Sequence, residues 1–220
     1  MATDFPASPS NGDTHAGFTY NSTTGTWETS VSTSSIDLLA DVDTATAAPS
    51  TGNFLKWNGT NWVPTPSSGI THVDTWRLTS DITSDAVPIT TFSNASGSST
   101  ALQPTLGTAM SHSSGVFTFP VTGYWEVQFF GQYYTTASDN MNIGIQAYET
   151  DGTLRSISQA TVGEGSTHYN QINLTSYLNI TNLSTNTVRF FANSINNAEL
   201  KGATDRDKTY VVFKRLAASV

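Results

Sequence analysis

Over residues 123–135, GYWEVQFFGQYYT, apolar side chains recur at every second position. This two-residue period belongs to a β-strand with one face in a core. Trp125, Val127, Phe129, Gly131 and Tyr133 read as the core side. Tyr124, Glu126, Gln128, Phe130, Gln132 and Tyr134 should then meet water, yet three of these six are aromatic. The surplus recurs further on. Val188, Phe190 and Ala192 share one parity, with Phe191 and Ile195 on the other; Val211 and Phe213 oppose Tyr210, Val212 and Leu216. Single soluble chains seldom expose contiguous apolar patches above a few hundred Å². The pattern therefore predicts a second buried face at a contact between subunits, with Tyr124, Phe130, Tyr134, Phe190, Phe191, Tyr210 and Phe213 as its candidates.

From residue 70 onward eight strand-like runs follow one another, separated by Gly, Asn, Asp, Ser and Pro clusters. They are THVDTWRLTS, GVFTFP, GYWEVQFFGQYYT, MNIGIQAYETDG, TLRSISQATV, HYNQINLTSYLNI, TVRFFANSI and KTYVVFKRLA. Thr-Asp-Gly at 150–152 reads as a hairpin turn. This spacing predicts an antiparallel sandwich or jelly roll over residues 70–220, long enough for a core of its own.

Residues 1–69 differ. They are poor in aliphatic side chains and rich in Ser, Thr and Pro. Two aromatic phrases stand out, FTYNSTTGTWE (18–28) and FLKWNGTNWVP (54–64). Each reads as a β-hairpin, the first around NSTTG with Gly25 left-handed, the second around Asn58-Gly59 with both residues at positive φ. Phe18, Tyr20, Trp27, Phe54, Trp57 and Trp62 are the candidate packing and attachment residues. Cross-strand ring pairs stabilise by roughly 0.2–1 kcal/mol each, and a lone hairpin is marginal in water. The aromatic faces are thus expected to rest on other copies of the hairpins or on a docking surface. Ile36, Leu38, Leu39 and Val42 predict one short helical turn between them.

Composition narrows the class. The 220 residues include 36 Thr, 27 Ser and 16 Asn, and 12% are charged. The net charge of −8 and nine scattered Lys and Arg exclude the basic stripe of a nucleic-acid binder. No run of 18 apolar residues predicts a membrane span, and the first residues lack the pattern of a secretory signal. Without cysteine there is neither a disulfide framework nor a thiolate metal site. An extracellular-looking chain with no secretory signal and no disulfides fits a virion protein, folded in a host cytoplasm and exposed after lysis.

Catalytic and metal patterns are weak. His15, His72, His112 and His168 have no ligand spacing, with His15 expected in a turn and His112 in a loop. Asp41 and Asp43 fall short of a calcium loop. Glu164, Asp205 and Asp207 are read as solvated loop carboxylates rather than a glycan-hydrolysing pair. No enzyme, cofactor or metal is expected. Asn140, His168 and Tyr169, at loop edges, are candidate surface contacts for a ligand.

Two resemblances sharpen this. SGVFTFPVTGYWEVQFFGQYY (114–134) resembles the signature of the complement-head and tumour-necrosis-factor-like domains, with Gly115, Phe117, Phe119, Pro120, Gly123 and Tyr124 in comparable places. TYVVFKRLA resembles their last strand. That likeness implies a ten-stranded jelly roll that trimerises about a threefold axis. Residues 4–28 and 39–64 are similar to segments of bacteriophage fibres of marine and cyanobacterial type. Together they imply a homotrimeric virion fibre or appendage with a hairpin-bearing stalk and a jelly-roll head. Its expected partners are further copies of itself, other virion proteins through the N-terminal region, and a host-surface glycan or protein, with no membrane insertion. A capsid-decoration or tail-adaptor part without a receptor is the alternative, and a glycan-cleaving enzyme a third.

Overall fold

The structure, a computed structural model, describes residues 4–29, 36, 39–46, 48–65, 69–95, 103, 105–136, 139–164 and 167–219; for 139 and 164 it describes the backbone only. The chain divides into two compact units, Met1–Ser67 and Ser68–Val220. Among the described residues the regular elements are sixteen strands, and the fold is all-β.

In the first unit β1 (Thr14–His15), β2 (Phe18–Asn21) and β3 (Thr26–Thr29) form an antiparallel sheet in chain order. Asn21 starts the β2–β3 loop: its Oδ1 accepts the Thr23 amide at 2.9 Å, and Gly25 closes it at φ +69°. β4 (Phe54–Trp57) and β5 (Trp62–Thr65) form the second hairpin. Its loop has four residues, Asn58–Asn61, and Gly59 alone of the Asn-Gly pair has positive φ. Asn58 instead accepts the Thr60 and Asn61 amides on its Oδ1, at 2.9 and 2.8 Å. The side chain thus builds a wider turn than the dipeptide predicts, because an Asx cap satisfies two amides that a two-residue loop would not have. Leu39 and Val42 donate their amides to the Ile36 and Leu39 carbonyls, and Val42 lies alongside Trp62 in a parallel bridge. Leu38 lies outside the described residues.

All eight runs expected after residue 70 are strands of the second unit. One sheet orders β13 (His168–Ile180), β10 (Gly123–Thr135), β16 (Tyr210–Ala217), β6 (His72–Leu78) and β7 (Phe92–Asn94), with β15 (Ala198–Leu200) also on β10. The other orders β12 (Leu154–Glu164), β11 (Asp139–Tyr148), β14 (Thr187–Asn193), β9 (Val116–Thr118) and β8 (Ser111–Ser113). Every ladder is antiparallel. β7, β8 and β15 carry three residues each, too few for an alternating pattern to show in the chain.

The sheets meet over one core. Its fully buried rings include Trp125, Phe117, Phe119, Phe129, Phe190 and Phe213. Phe117 touches Phe190 and Phe213 at centroid distances of 5.6 and 5.0 Å, joining both sheets. Phe190 and Phe213 are therefore core residues, and their expected place at a subunit contact is corrected: each shares the inward parity of its strand. Phe191, on the outward side of β14, is 3% exposed and lies over Gly144. A Cβ at Gly144 would sit 2.4 Å from the Phe191 ring, so that glycine makes the recess the ring occupies. Phe191 is thereby hidden within its own chain.

A carboxylate is sealed among the buried polar groups of this unit. Asp74 is 3% exposed and accepts four donors: Trp76 Nε1 (2.8 Å), Asn94 Nδ2 (2.7 Å), Thr105 Oγ1 (2.9 Å) and the Met110 amide (2.8 Å). Four donors on one carboxylate fasten β7 and the 105–110 segment to β6. Asp74→Asn turns an acceptor-only group into one whose NH₂ faces other donors. Urea unfolding of the full chain should show a loss of about 2–4 kcal/mol in the second unit. A midpoint equal to that of the control Asp151→Asn, at an exposed turn, would contradict this role for Asp74.

Candidate functional site

β10 buries one side and presents the other, and its neighbours continue both faces in register. On the outward side Tyr124, Glu126, Gln128, Phe130, Gln132 and Tyr134 stand opposite Asn179, Tyr177, Thr175, Asn173, Gln171 and Tyr169 of β13. Across β16 the partners of Glu126, Gln128 and Phe130 are Lys214, Val212 and Tyr210. The rings pair: Phe130 stacks on Tyr210 at 4.7 Å and 14°, and Tyr134 meets Tyr169 at 4.7 Å. Tyr177 and Tyr169 are 69% and 62% exposed and Tyr124 38%, which makes this the ring-rich surface of the second unit.

Two charge pairs on this surface are matched inside the chain. Lys214 contacts Glu126 at 2.7 Å, and Tyr177 donates its hydroxyl to Glu126 at 3.3 Å. Arg77 pairs with Asp207 at 2.9 Å, both side chains 15% exposed or less. Asp207 is thus a half-buried structural partner, not the solvated loop carboxylate expected; Asp205 pairs with its neighbour Arg206 at the surface. Phe130, Tyr210, Gln171, Asn173, Asp207 and Lys208 line a cavity of about 420 Å³ on this face. Burial, with the Asp207 charge, raises the Tyr210 hydroxyl above the ordinary tyrosine value.

With Phe191 buried, the outward side of the other sheet is mainly polar. Thr161 donates to Asn142 at 2.7 Å and Arg189 to Gln146 at 2.8 Å, with the Arg189 guanidinium over the Tyr148 ring. The two faces of the sandwich therefore differ in kind.

Of the expected contact residues, Tyr124, Phe130, Tyr134 and Tyr210 come together on the ring-rich face. Tyr169, expected as a ligand contact, joins them through Tyr134. His168 pairs with Thr135 on the opposite parity of β13, and Asn140 lies on β11 of the other sheet, so these three do not form one surface. Tyr177 was missed. Tyr169, Gln171, Asn173, Thr175 and Tyr177 alternate with Asn170, Ile172, Leu174 and Ser176, and that period marks Tyr177 as outward.

In the first unit the hairpin rings divide. Phe18, Tyr20 and Trp27 share one face, and Phe5 covers it, stacked on Trp27 at 5.0 Å and edge-on to Phe18 at 5.4 Å, with His15 at 5.7 Å. This hairpin finds its cover in its own chain, against the expectation that it needs a second copy. Trp57 and Trp62 pair at 5.7 Å yet remain 46% and 42% exposed; Phe54, 42% exposed, lies on the opposite side of its hairpin. Among the described residues no group of three or more His, Asp and Glu side chains is placed to hold a metal ion.

No family model and no curated protein sequence matches this chain. Solved structures do. Eiger TNF from S. frugiperda superposes with a TM-score of 0.51 at 13% identity, over 69% of this chain and 96% of that one. Murine APRIL at pH 8.5 gives 0.49 at 10% identity, over 66% and 98%. The fold is a TNF-like jelly roll, as the 114–134 resemblance implied.

Phe5→Ala should uncover Trp27. Hydrogen exchange across 18–29 should quicken about fivefold, the counterpart of losing roughly 1 kcal/mol of ring contact, with 123–135 unchanged. Equal exchange in both proteins would remove Phe5 from this role.

Proposed function

We propose that this chain is a non-enzymatic structural protein of a phage particle: a homotrimeric fibre or appendage whose jelly-roll head projects outward and engages a host surface. One observation carries the self-association. A single TNF-like sandwich places Tyr124, Phe130, Tyr134, Tyr169, Tyr177 and Tyr210 on one outward face, while the opposite outward face is mainly polar. Rings on an open sheet face are favourable to bury, at about 25 cal/mol per Å² of apolar area. Glu126 and Arg77 already have partners, so covering them leaves no unpaired charge at these points. A closed ring of copies hides such a face completely.

The virion setting rests on the resemblance of residues 4–28 and 39–64 to phage-fibre segments. The exposed Trp57 and Trp62 are the attachment surface for neighbouring copies or other virion proteins in this reading. Within the second unit the chain enters at the His72 end of β6, which pairs with Arg215 near the Gly123 end of β10. The 13-residue β10 then runs to Thr135, about 40 Å along the strand. His168, exposed and on the parity opposite to the paired Tyr134 and Tyr169, lies at that far end, where a head offers its surface to a host. A decoration or adaptor protein without a receptor would keep the ring-rich contact and leave the far end idle.

Sedimentation of the full chain at micromolar concentration should give a trimer. Val212→Glu, on the same face and absent from the core, should sediment as a monomer with unchanged far-ultraviolet circular dichroism. A monomeric native chain would end the proposal. Mass spectrometry of purified particles tests the setting, and binding of the trimer to host cells, reduced at least about tenfold by His168→Ala, separates fibre from adaptor.

A further inference from the structure

The edge of the sandwich farthest from β12 and β13 is closed by an imidazole. His112 sits on β8, the outermost strand of the five-stranded sheet, and β8 holds β9 through three residue pairs. The His112 ring lies 4.4 Å from Phe117 of β9, 5.4 Å from Trp76 of β6 and 6.3 Å from Phe92 of β7. It therefore bridges the two sheets, filling the gap between their outermost strands with ring contacts. Its Nε2 is buried without a hydrogen-bond partner.

The segment leading to it is strapped along β6. Val73 and Leu106 exchange backbone hydrogen bonds of 3.1 and 2.9 Å. Gly107 passes so close to His72 that a Cβ would lie 2.7 Å from the imidazole Cδ2. Thr105 and Met110 are tied to Asp74. Each end of the strap thus rests on a histidine.

We infer that residues 105–113 are a proton-sensitive latch: neutral His112 holds the β7/β8 edge shut, and its protonation frees the strap and β8 while the rest of the sandwich stays folded.

The groups around these rings explain the direction. Protonation gives His112 a second N–H, and no acceptor meets its Nε2. On β6 the carboxylate is Asp74, whose oxygens already take four donors, and Arg77 is held by Asp207. On β7 Asn94 donates to Asp74, and β8 and β9 contribute no charged side chain. Ring faces attract a cation only weakly against that loss of water. At the other end His72 shares the Thr71 hydroxyl with Arg215, at 3.0 Å each, so its protonation sets two cations side by side. Burial lowers the affinity of both imidazoles for a proton, with the Arg215 charge adding to this at His72. The sign follows. Above pH ~6.5 both histidines are neutral open or closed, and the latch has its full strength. As pH falls below that value the opened strap binds protons more readily than the closed one, and closure weakens.

Hydrogen exchange of the full chain at about pH 7.5 and about pH 5, scaled for the intrinsic pH dependence of the chemistry, reads the latch. Exchange in 105–118 should rise about tenfold or more at the lower pH, with β10 and β11 protected, and His112→Phe should abolish most of the rise. Imidazole titration of the native protein by NMR is the second measurement, informative even if the variant fails to fold: the His112 resonance should titrate below the ordinary range, together with strap amides. Unchanged exchange at the strap, loss of protection in β10 at the same pH, or a strap indifferent to the His112 titration would each overturn the latch.

Discussion

A β-strand has two sides and a single sandwich has one core. β10 is thirteen residues long and carries rings on both sides. Trp125, Phe129 and Tyr133 meet the other sheet across the interior, and burying them is what makes the domain. Tyr124, Phe130 and Tyr134 are then turned outward by the same pleat, because no rotation of the strand hides one set without exposing the other. Neighbouring strands add Tyr169, Tyr177, Val212 and Tyr210 in register, so the outward rings form a surface rather than scattered positions. The proposal of self-association is the consequence of that geometry.

The first unit meets the same difficulty on a smaller scale and answers it locally. A two-stranded hairpin has no interior, so its rings need cover from outside. Phe5 supplies it for Trp27 and Phe18, reaching back from the start of the chain. The second hairpin gains a backbone neighbour, Val42 beside Trp62, but its two tryptophans stay close to half exposed. The two similar aromatic phrases thus reach different states, one closed and one open.

Polar groups fasten the less regular parts. Asp74 joins β6 to β7 and to the strap; Arg77 and Asp207 hold the loop before β16; Lys201 contacts both Asp81 and Glu199. Burial of each is tolerated because its partners are already in place. His112 differs from these, a titratable ring closed in by aromatic ones with its Nε2 buried and unpaired, and the proposed latch depends on that.

Periodicity in the chain was enough to place β6, β9–β14 and β16, to assign inward and outward parity on β10, β14 and β16, and to mark two hairpins, because a strand's faces follow from alternation alone. The motif around Gly115–Tyr124 carried the jelly-roll topology. Alternation could not say how much lies over an outward residue. Phe191 and Tyr134 share outward parity, yet a recess at Gly144 hides the first, and only the packed sheets reveal that recess. The sequence likewise marks Asp74, His112 and Asp207 merely as polar, and the pairing of Phe5 with Trp27 has no local signature at all. Their partners lie up to 130 residues away, and contacts of that range exist only once the chain has closed on itself.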